Sequence, residues 1–264
     1  MVKKKNRPNF FTIPFPPERL AIVDLLKDAM DHPTIYGFLE LDVTIVRDYI
    51  RKMKKETGVK LSFTGYIAYC MAKVIDENKF LHAVRKGKKK FYIFDDVDIM
   101  TMVERDFGGK KAPIGHIIRA ANKKTIQEIH QEIRSAQTNK LGGTYQDKRQ
   151  LNYEKLPWIF KKLMWRKFKR DPFFAKKFTG TCSLTAIGMF GKGTGWGMTP
   201  TGDTFAIILG GIGKKPAIID NEVVIREFLS ITLCFNHDII DGAPASRCAM
   251  RIKTMIENGE GLIN

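Results

Sequence analysis

One stretch gathers the residues best suited to chemistry: Ser230-Ile231-Thr232-Leu233-Cys234-Phe235-Asn236-His237-Asp238-Ile239-Ile240-Asp241-Gly242-Ala243. Read as a strand over 230–237, it puts Ile231, Leu233, Phe235 and His237 on one face, because side chains alternate along a strand. His237 then stands at the end of an apolar strand, against a turn made by Asp241-Gly242. An imidazole in that place can take up a proton as a general base. The competing reading is a core histidine satisfied by a backbone carbonyl. Two other chemistries find no support. Gly188-Met189-Phe190-Gly191-Lys192-Gly193-Thr194-Gly195-Trp196-Gly197 is glycine-rich, but Lys192 is followed by Gly193 rather than Ser or Thr. It fits neither a phosphate loop nor G-x-G-x-x-G, and a flexible loop or close-packed turn is expected. His32, His82, His116, His130 and His237 are scattered, with no HExxH and no Cys/His pair at ligand spacing, so no metal site is expected.

These residues need a frame of strands and helices. Pro16-Pro17-Glu18 reads as a helix start, followed by a helical pattern through Leu20, Val23, Leu26 and Met30. Tyr36 to Val43 alternates like a strand. Helices are expected over 44–56, ending near Gly58, and over 62–77, with Ser62 or Thr64 as cap. Phe91 to Ile93 and Val97 to Val103 read as strands around an Asp95-Asp96 turn. Residues 122–137 read as a helix capped by Asn122. Four strand-like runs follow, 180–187, 203–209, 222–226 and 229–236, and an amphipathic helix over 243–257 ends the pattern. Interleaved strands and helices make the class α/β or α+β. Nothing resembles a linker or a repeat, so one domain over 1–264 is expected.

Composition narrows the partners. The 264 residues carry 45 Lys/Arg against 28 Asp/Glu, a formal charge of +17, with 44% hydrophobic residues. That apolar content excludes a charge-driven disordered chain. No apolar run reaches the roughly 18–20 residues of a membrane span, and no apolar core follows the basic Met1-Val2-Lys3-Lys4-Lys5 start, so neither a span nor a secretory signal is expected. Cys70, Cys182, Cys234 and Cys248 form no CxxC and read as reduced thiols of a cytoplasmic protein. About half of the excess charge sits in residues 140–178, with twelve Lys/Arg against three Asp/Glu. Within them Leu156, Ile159, Phe160, Leu163, Met164 and Phe168 fall on one helical face, bordered by Trp158 and Trp165. Lys161, Lys162, Arg166, Lys167, Lys169 and Arg170 take the other side. Such a helix over 156–170 either packs on the protein or a neighbouring subunit, or docks peripherally on a membrane or partner. No nucleic-acid motif is present, so nucleic acid is not the expected partner.

The spacing His237-x-x-x-Asp241-Gly242, after a strand and before a helix that ends near Leu262-Ile263, resembles the C-terminal signature of the dihydrolipoamide acyltransferases. These are the catalytic domains of the 2-oxoacid dehydrogenase complexes and share the chloramphenicol acetyltransferase fold. Gly180-Thr181-Cys182-Ser183-Leu184-Thr185-Ala186-Ile187-Gly188-Met189-Phe190-Gly191 resembles the family's strand and following turn. Ala206-Ile207-Ile208-Leu209-Gly210-Gly211-Ile212-Gly213 is similar to its Ala-Ile-Leu-Gly-x-Gly strand. Ala112 to Lys124 is a looser match. The resemblance runs from about Pro17 to the C-terminus, apart from the basic stretch.

That resemblance implies an α/β two-layer sandwich with a mixed sheet, and acyl transfer between CoA and a thiol such as dihydrolipoyl. It implies His237 as general base and a hydroxyl at Thr185 for the oxyanion. Asp241 would fix the loop that carries His237, with Gly242 and Asn236 supporting it and Arg19 as candidate partner for Asp241. It further implies a homotrimer with His237 and Thr185 from different chains, and a larger cubic assembly that the Gly261-Leu262-Ile263-Asn264 tail could serve. The family commonly reads Asp-His-Arg where this chain has Asn236-His237-Asp238. No lipoyl or subunit-binding domain is recognisable, so a lipoyl group would come in trans, from a lipoyl-carrying protein. The departures at Asn236 and Asp238 motivate the alternative, a non-catalytic oligomeric scaffold of the same fold, docking through the basic helix.

Overall fold

Some helix boundaries are set by a glycine or a capping side chain, as the sequence suggests. The computed structural model describes residues 10–16, 19–87, 89–107, 110–138, 156–187 and 193–263, with backbone alone for 106–107 and 110–112. The α-helices are α1 (Leu20–Ala29), α2 (Thr44–Thr57), α3 (Phe63–Glu77), α4 (Ile126–Thr138), α5 (Trp158–Arg170), α6 (Pro172–Thr179) and α7 (Gly242–Glu257). Pro17, Glu18, residues 140–155, the 188–192 part of the glycine-rich run and Asn264 lie outside the described residues. Gly58 closes α2 in the left-handed region, φ 74°, which costs a glycine no Cβ clash. Ser62 caps α3, its Oγ accepting from the Gly65 N–H at 3.1 Å.

The cap expected of Asn122 is supplied by Thr125 instead. Thr125 Oγ1 accepts from the Glu128 N–H at 3.2 Å while the Glu128 carboxylate accepts from the Thr125 N–H at 2.8 Å, a capping box. Asn122 is buried and ties three segments together. Its amide donates to Asp76 at 2.8 Å and to the Asp95 carbonyl at 3.1 Å, and its Oδ1 accepts from the Val97 N–H at 3.0 Å.

The strands are β1 (Thr34–Asp42), β2 (Val84–Lys86), β3 (Lys90–Tyr92), β4 (Ile99–Phe107), β5 (Lys110–Ile118), β6 (Cys182–Ala186), β7 (Phe205–Ile219) and β8 (Glu222–Asn236). Six form one sheet in the order β1-β8-β7-β6-β4-β5, and β2 pairs with β3 separately. The β4–β6 and β6–β7 pairs are parallel and the rest antiparallel, so the sheet is mixed, as expected. Strand β5 has no strand-like pattern in the sequence. Its Pro113 fits only because β5 is an edge strand, where a missing N–H breaks no ladder. The two runs expected at 222–226 and 229–236 are one strand, joined to β7 by Asp220 and Asn221 at φ 52° and 64°. Those angles make the tight hairpin turn whose twist matches the strands.

The core lies between one sheet face and helices α2, α3, α4 and α7, where Ile231, Leu233 and Phe235 of β8 meet Tyr66, Ile67, Met71 and Ile252. Residues 193–199 cross the opposite face of the sheet. Gly211 N–H donates to the Gly195 carbonyl at 2.9 Å, Thr232 donates to the Gly197 carbonyl at 2.8 Å, and Trp196 donates to the Leu39 carbonyl at 3.1 Å. A Cβ on Gly210 would come within 1.9 Å of the Gly195 oxygen, so glycine there permits the approach. This described part of the glycine-rich run is therefore a close-packed crossing.

Helix α5 forms, and only part of its apolar side packs inward. Met164, Trp165 and Phe168 are half-buried, whereas Trp158, Ile159, Phe160 and Leu163 are exposed. Lys169 anchors the helix through Asp28 at 2.8 Å and Asp31 at 3.1 Å.

His82 is fully buried, its Nδ1 3.1 Å from Thr181 Oγ1. Desolvation, helped by Lys176 and Lys79, lowers its pKa to about 4. The unfolded chain, near 6.5, therefore binds more protons between these values. Stability present above about pH 6.5 is lost as pH falls toward 4, by about 3 kcal/mol at most. Urea unfolding across that window should show His82→Gln losing less stability with falling pH than the unsubstituted chain.

Candidate active site

The site is built where β8 stops. Strand β8 pairs with β1 from Phe228↔Asp42 to Asn236↔Thr34, and with β7 on its other side. Beyond Asn236 the chain leaves the sheet, so His237 opens a turn rather than ending the strand face. Its N–H donates to the Pro33 carbonyl at 2.7 Å. The Asn236 carbonyl accepts from Ile239 and Ile240 N–H at 3.1 and 2.9 Å, and Asn236 Oδ1 accepts from the Asp238 N–H at 3.0 Å. The remaining amide group, Nδ2, reaches His32 Nδ1 at 3.1 Å. With Oδ1 already accepting, Nδ2 is the donor and His32 Nδ1 the acceptor. Buried Asn236 thus has work for both ends of its amide.

Asp203 lies close by. Thr201 Oγ1 is 3.4 Å from its carboxylate and Ser183 hydrogen-bonds to it, yet burial raises its pKa above the ordinary value. Burial likewise pushes the Cys234 thiol up to about 12, with the nearby Asp203 charge adding to it. Cys234 is therefore a packed, protonated thiol and not a nucleophile.

The imidazole of His237 is 47% exposed and Asp241 Oδ1 lies 3.7 Å from its Nδ1. Asp241 is also the residue from which α7 starts, its carbonyl accepting from the Ala245 N–H at 3.0 Å, with Gly242 as first residue of the helix. The expected Arg19–Asp241 pair does not form within one chain. Arg19 is exposed at the start of α1, and Asp241 faces His237 instead. Asp238, the carboxylate beside the base, is ion-paired with Arg85 of β2 at 2.8 Å. Arg85 and His32 were not singled out from sequence, and no motif around either signals its role.

Thr185 lies on β6, opposite Ile208 of β7, which is opposite Thr232 of β8. Its side chain is half-buried on the sheet face away from the helices. From the level of Thr232 to His237 is five residues along the strand, and Thr185 is two strands to the side. At ~3.3 Å per residue and ~4.8 Å between strands, the two backbones are about 19 Å apart. One chain does not bring Thr185 to His237. Among the described residues, no group of three or more His, Cys, Asp or Glu side chains could hold a metal ion.

Comparison with known proteins follows the same lines. The sequence matches the family described as 2-oxoacid dehydrogenases acyltransferase (catalytic domain) over residues 8–149 and 175–263, leaving 150–174 unmatched. It is 25% identical over 246 residues to the dihydrolipoyllysine-residue acetyltransferase component of the pyruvate dehydrogenase complex of Staphylococcus epidermidis. That match covers 90% of this chain and 48% of the relative, so the chain spans about half the relative's length. The fold is similar to the cubic core of the pyruvate dehydrogenase multienzyme complex, with TM-score 0.70, 14% identity, and coverage of 100% of this chain and 98% of that one. It is equally similar to Azotobacter vinelandii dihydrolipoamide acetyltransferase, with TM-score 0.70, 15% identity, and coverage of 97% and 95%. In that protein a serine, a histidine and an asparagine four residues beyond the histidine were investigated for roles in the catalytic mechanism. The two-layer α/β expectation is met.

The turn can be tested apart from any activity. Asn236→Ala removes the acceptor for the Asp238 N–H and the donor to His32, both in a buried setting. Urea unfolding should show a loss of about 1–3 kcal/mol, and an undiminished midpoint would show that the amide does not hold the turn.

Proposed function

Because the chain belongs to the family of 2-oxoacid dehydrogenase acyltransferase catalytic domains, we propose that it moves an acyl group between CoA and a second thiol, with His237 as general base. The observation that carries this reading is the half-exposed imidazole at a turn locked by the Pro33 carbonyl and Asn236, with a carboxylate 3.7 Å from Nδ1. The histidine and asparagine investigated in the Azotobacter protein have the spacing of His237 and Asp241.

The chemistry balances with no metal and no redox step. His237 takes the proton of the incoming thiol as its sulfur attacks the thioester carbonyl carbon. The new C–S bond leaves the carbonyl oxygen negative in a tetrahedral intermediate. Collapse breaks the other C–S bond, and the departing sulfur takes the proton back from the imidazolium. Asp241, 3.7 Å from Nδ1, keeps the imidazole oriented. The oxyanion needs a placed donor, and the Thr185 hydroxyl is assigned that role. The separation of about 19 Å within one chain supports a site assembled from two chains, as in the homotrimer that the family resemblance implies. A larger cubic assembly is consistent with the likeness to the cubic core. Exposed Phe10, Phe11, Ile13 and Phe15, and Ile218, Val223 and Ile225 at the hairpin tip, offer apolar surface for subunit contacts. The second thiol is a dihydrolipoyl group. Four buried, free cysteines fit residence in the reducing cytoplasm. The scaffold reading loses its motive, since Asp238 is neutralised by Arg85 and the Asn236 amide is used at both ends.

The test is acyl transfer between acetyl-CoA and free dihydrolipoamide. His237→Ala should lower kcat by roughly 10²–10⁴-fold. Thr185→Ala should lower it by roughly 10²–10³-fold, with Thr185→Ser restoring most of the rate. Equal rates for the unsubstituted chain and His237→Ala over a panel of thiol acceptors would end the enzyme reading.

A further inference from the structure

Helix α5 has six Lys/Arg and no acidic residue in thirteen positions, and it lies within the span the family does not match. Its inner side is fixed by Lys169 on Asp28 and Asp31 and by half-buried Met164, Trp165 and Phe168, the last two in edge contact at 5.0 Å. Its outer side presents Trp158, Ile159, Phe160 and Leu163, each between 53% and 71% exposed. Interleaved with them are exposed Lys162, Arg166 and Arg170, which have no carboxylate partner among the described residues.

We propose that this outer side of α5 is a docking surface for an anionic lipid bilayer. Four large apolar side chains gain by entering the headgroup boundary, and the cations between them reach back to lipid phosphates on long apolar stems. Charge complementarity selects this occupant. A second copy docking by the same patch would set unpaired cations against one another, and a nucleic acid would leave Trp158, Ile159, Phe160 and Leu163 unmatched. At ~1.5 Å per residue the helix is about 20 Å long, short of the ~30 Å hydrocarbon core, so it lies along the surface. The proposal is independent of the acyltransferase reading.

The test uses the full chain with vesicles of phosphatidylcholine alone or mixed with phosphatidylglycerol, read by co-sedimentation. Binding is expected on the mixed vesicles and not on the neutral ones. At about fivefold per cation, the triple change Lys162→Gln, Arg166→Gln and Arg170→Gln should weaken binding by about a hundredfold. The triple change Trp158→Ser, Phe160→Ser and Leu163→Ser should abolish it. Unchanged circular dichroism and oligomer mass would show that both variants fold and assemble. No binding, binding to neutral vesicles alike, or binding untouched by either variant would overturn the proposal. A fall in oligomer size with the serine variant would reassign the patch to a subunit contact. Retention on single-stranded RNA without vesicle binding would reassign it to nucleic acid.

Discussion

Strand β8 is held on both edges, and the place where that ladder ends sets everything at the site. Paired with β1 through Asn236↔Thr34 and with β7 through Phe235↔Phe205, it cannot slide without moving its buried face out of the core. The first residue beyond the ladder is His237, whose N–H is taken by Pro33. The histidine therefore owes its position to backbone pairing, and its imidazole is left about half exposed beside Asp241. Asn236 completes this by closing the turn with its carbonyl and both ends of its amide.

The charges around the site follow the same economy. A carboxylate beside the proposed base would be a poor neighbour for an anionic intermediate, but Asp238 is turned into an ion pair with Arg85. Farther along β8, Glu227 is gripped by Arg47 at 2.8 Å and Arg51 at 2.9 Å from α2, which lowers its pKa despite partial burial. That clamp lies mid-strand, where the sequence suggested a break, and an acidic residue survives there because a helix meets it with two arginines.

What could be read in the sequence was local. Gly58, Ser62 and the His237-x-x-x-Asp241-Gly242 spacing carry their geometry in a few adjacent residues, and the family likeness gave the α/β fold. What escaped depends on distant partners. His32 and Asn236 are 204 residues apart, and nothing near Arg85 points to Asp238. Strand β5 exists because β4 pairs with it, whereas Lys110, Lys111 and Pro113 argue against a strand. Periodicity showed that α5 has two sides but not which side packs. The anchor on Asp28 and Asp31 turned Ile159, Phe160 and Leu163 outward.

The edge strand carries one more consequence. At Pro113, β5 has no N–H to offer a newcomer, and a strand laid alongside would meet a gap in its ladder. The sheet is thus discouraged from growing outward on that side into an open-ended fibre. For a basic protein with many uncovered apolar side chains, such a gap works against edge-to-edge aggregation.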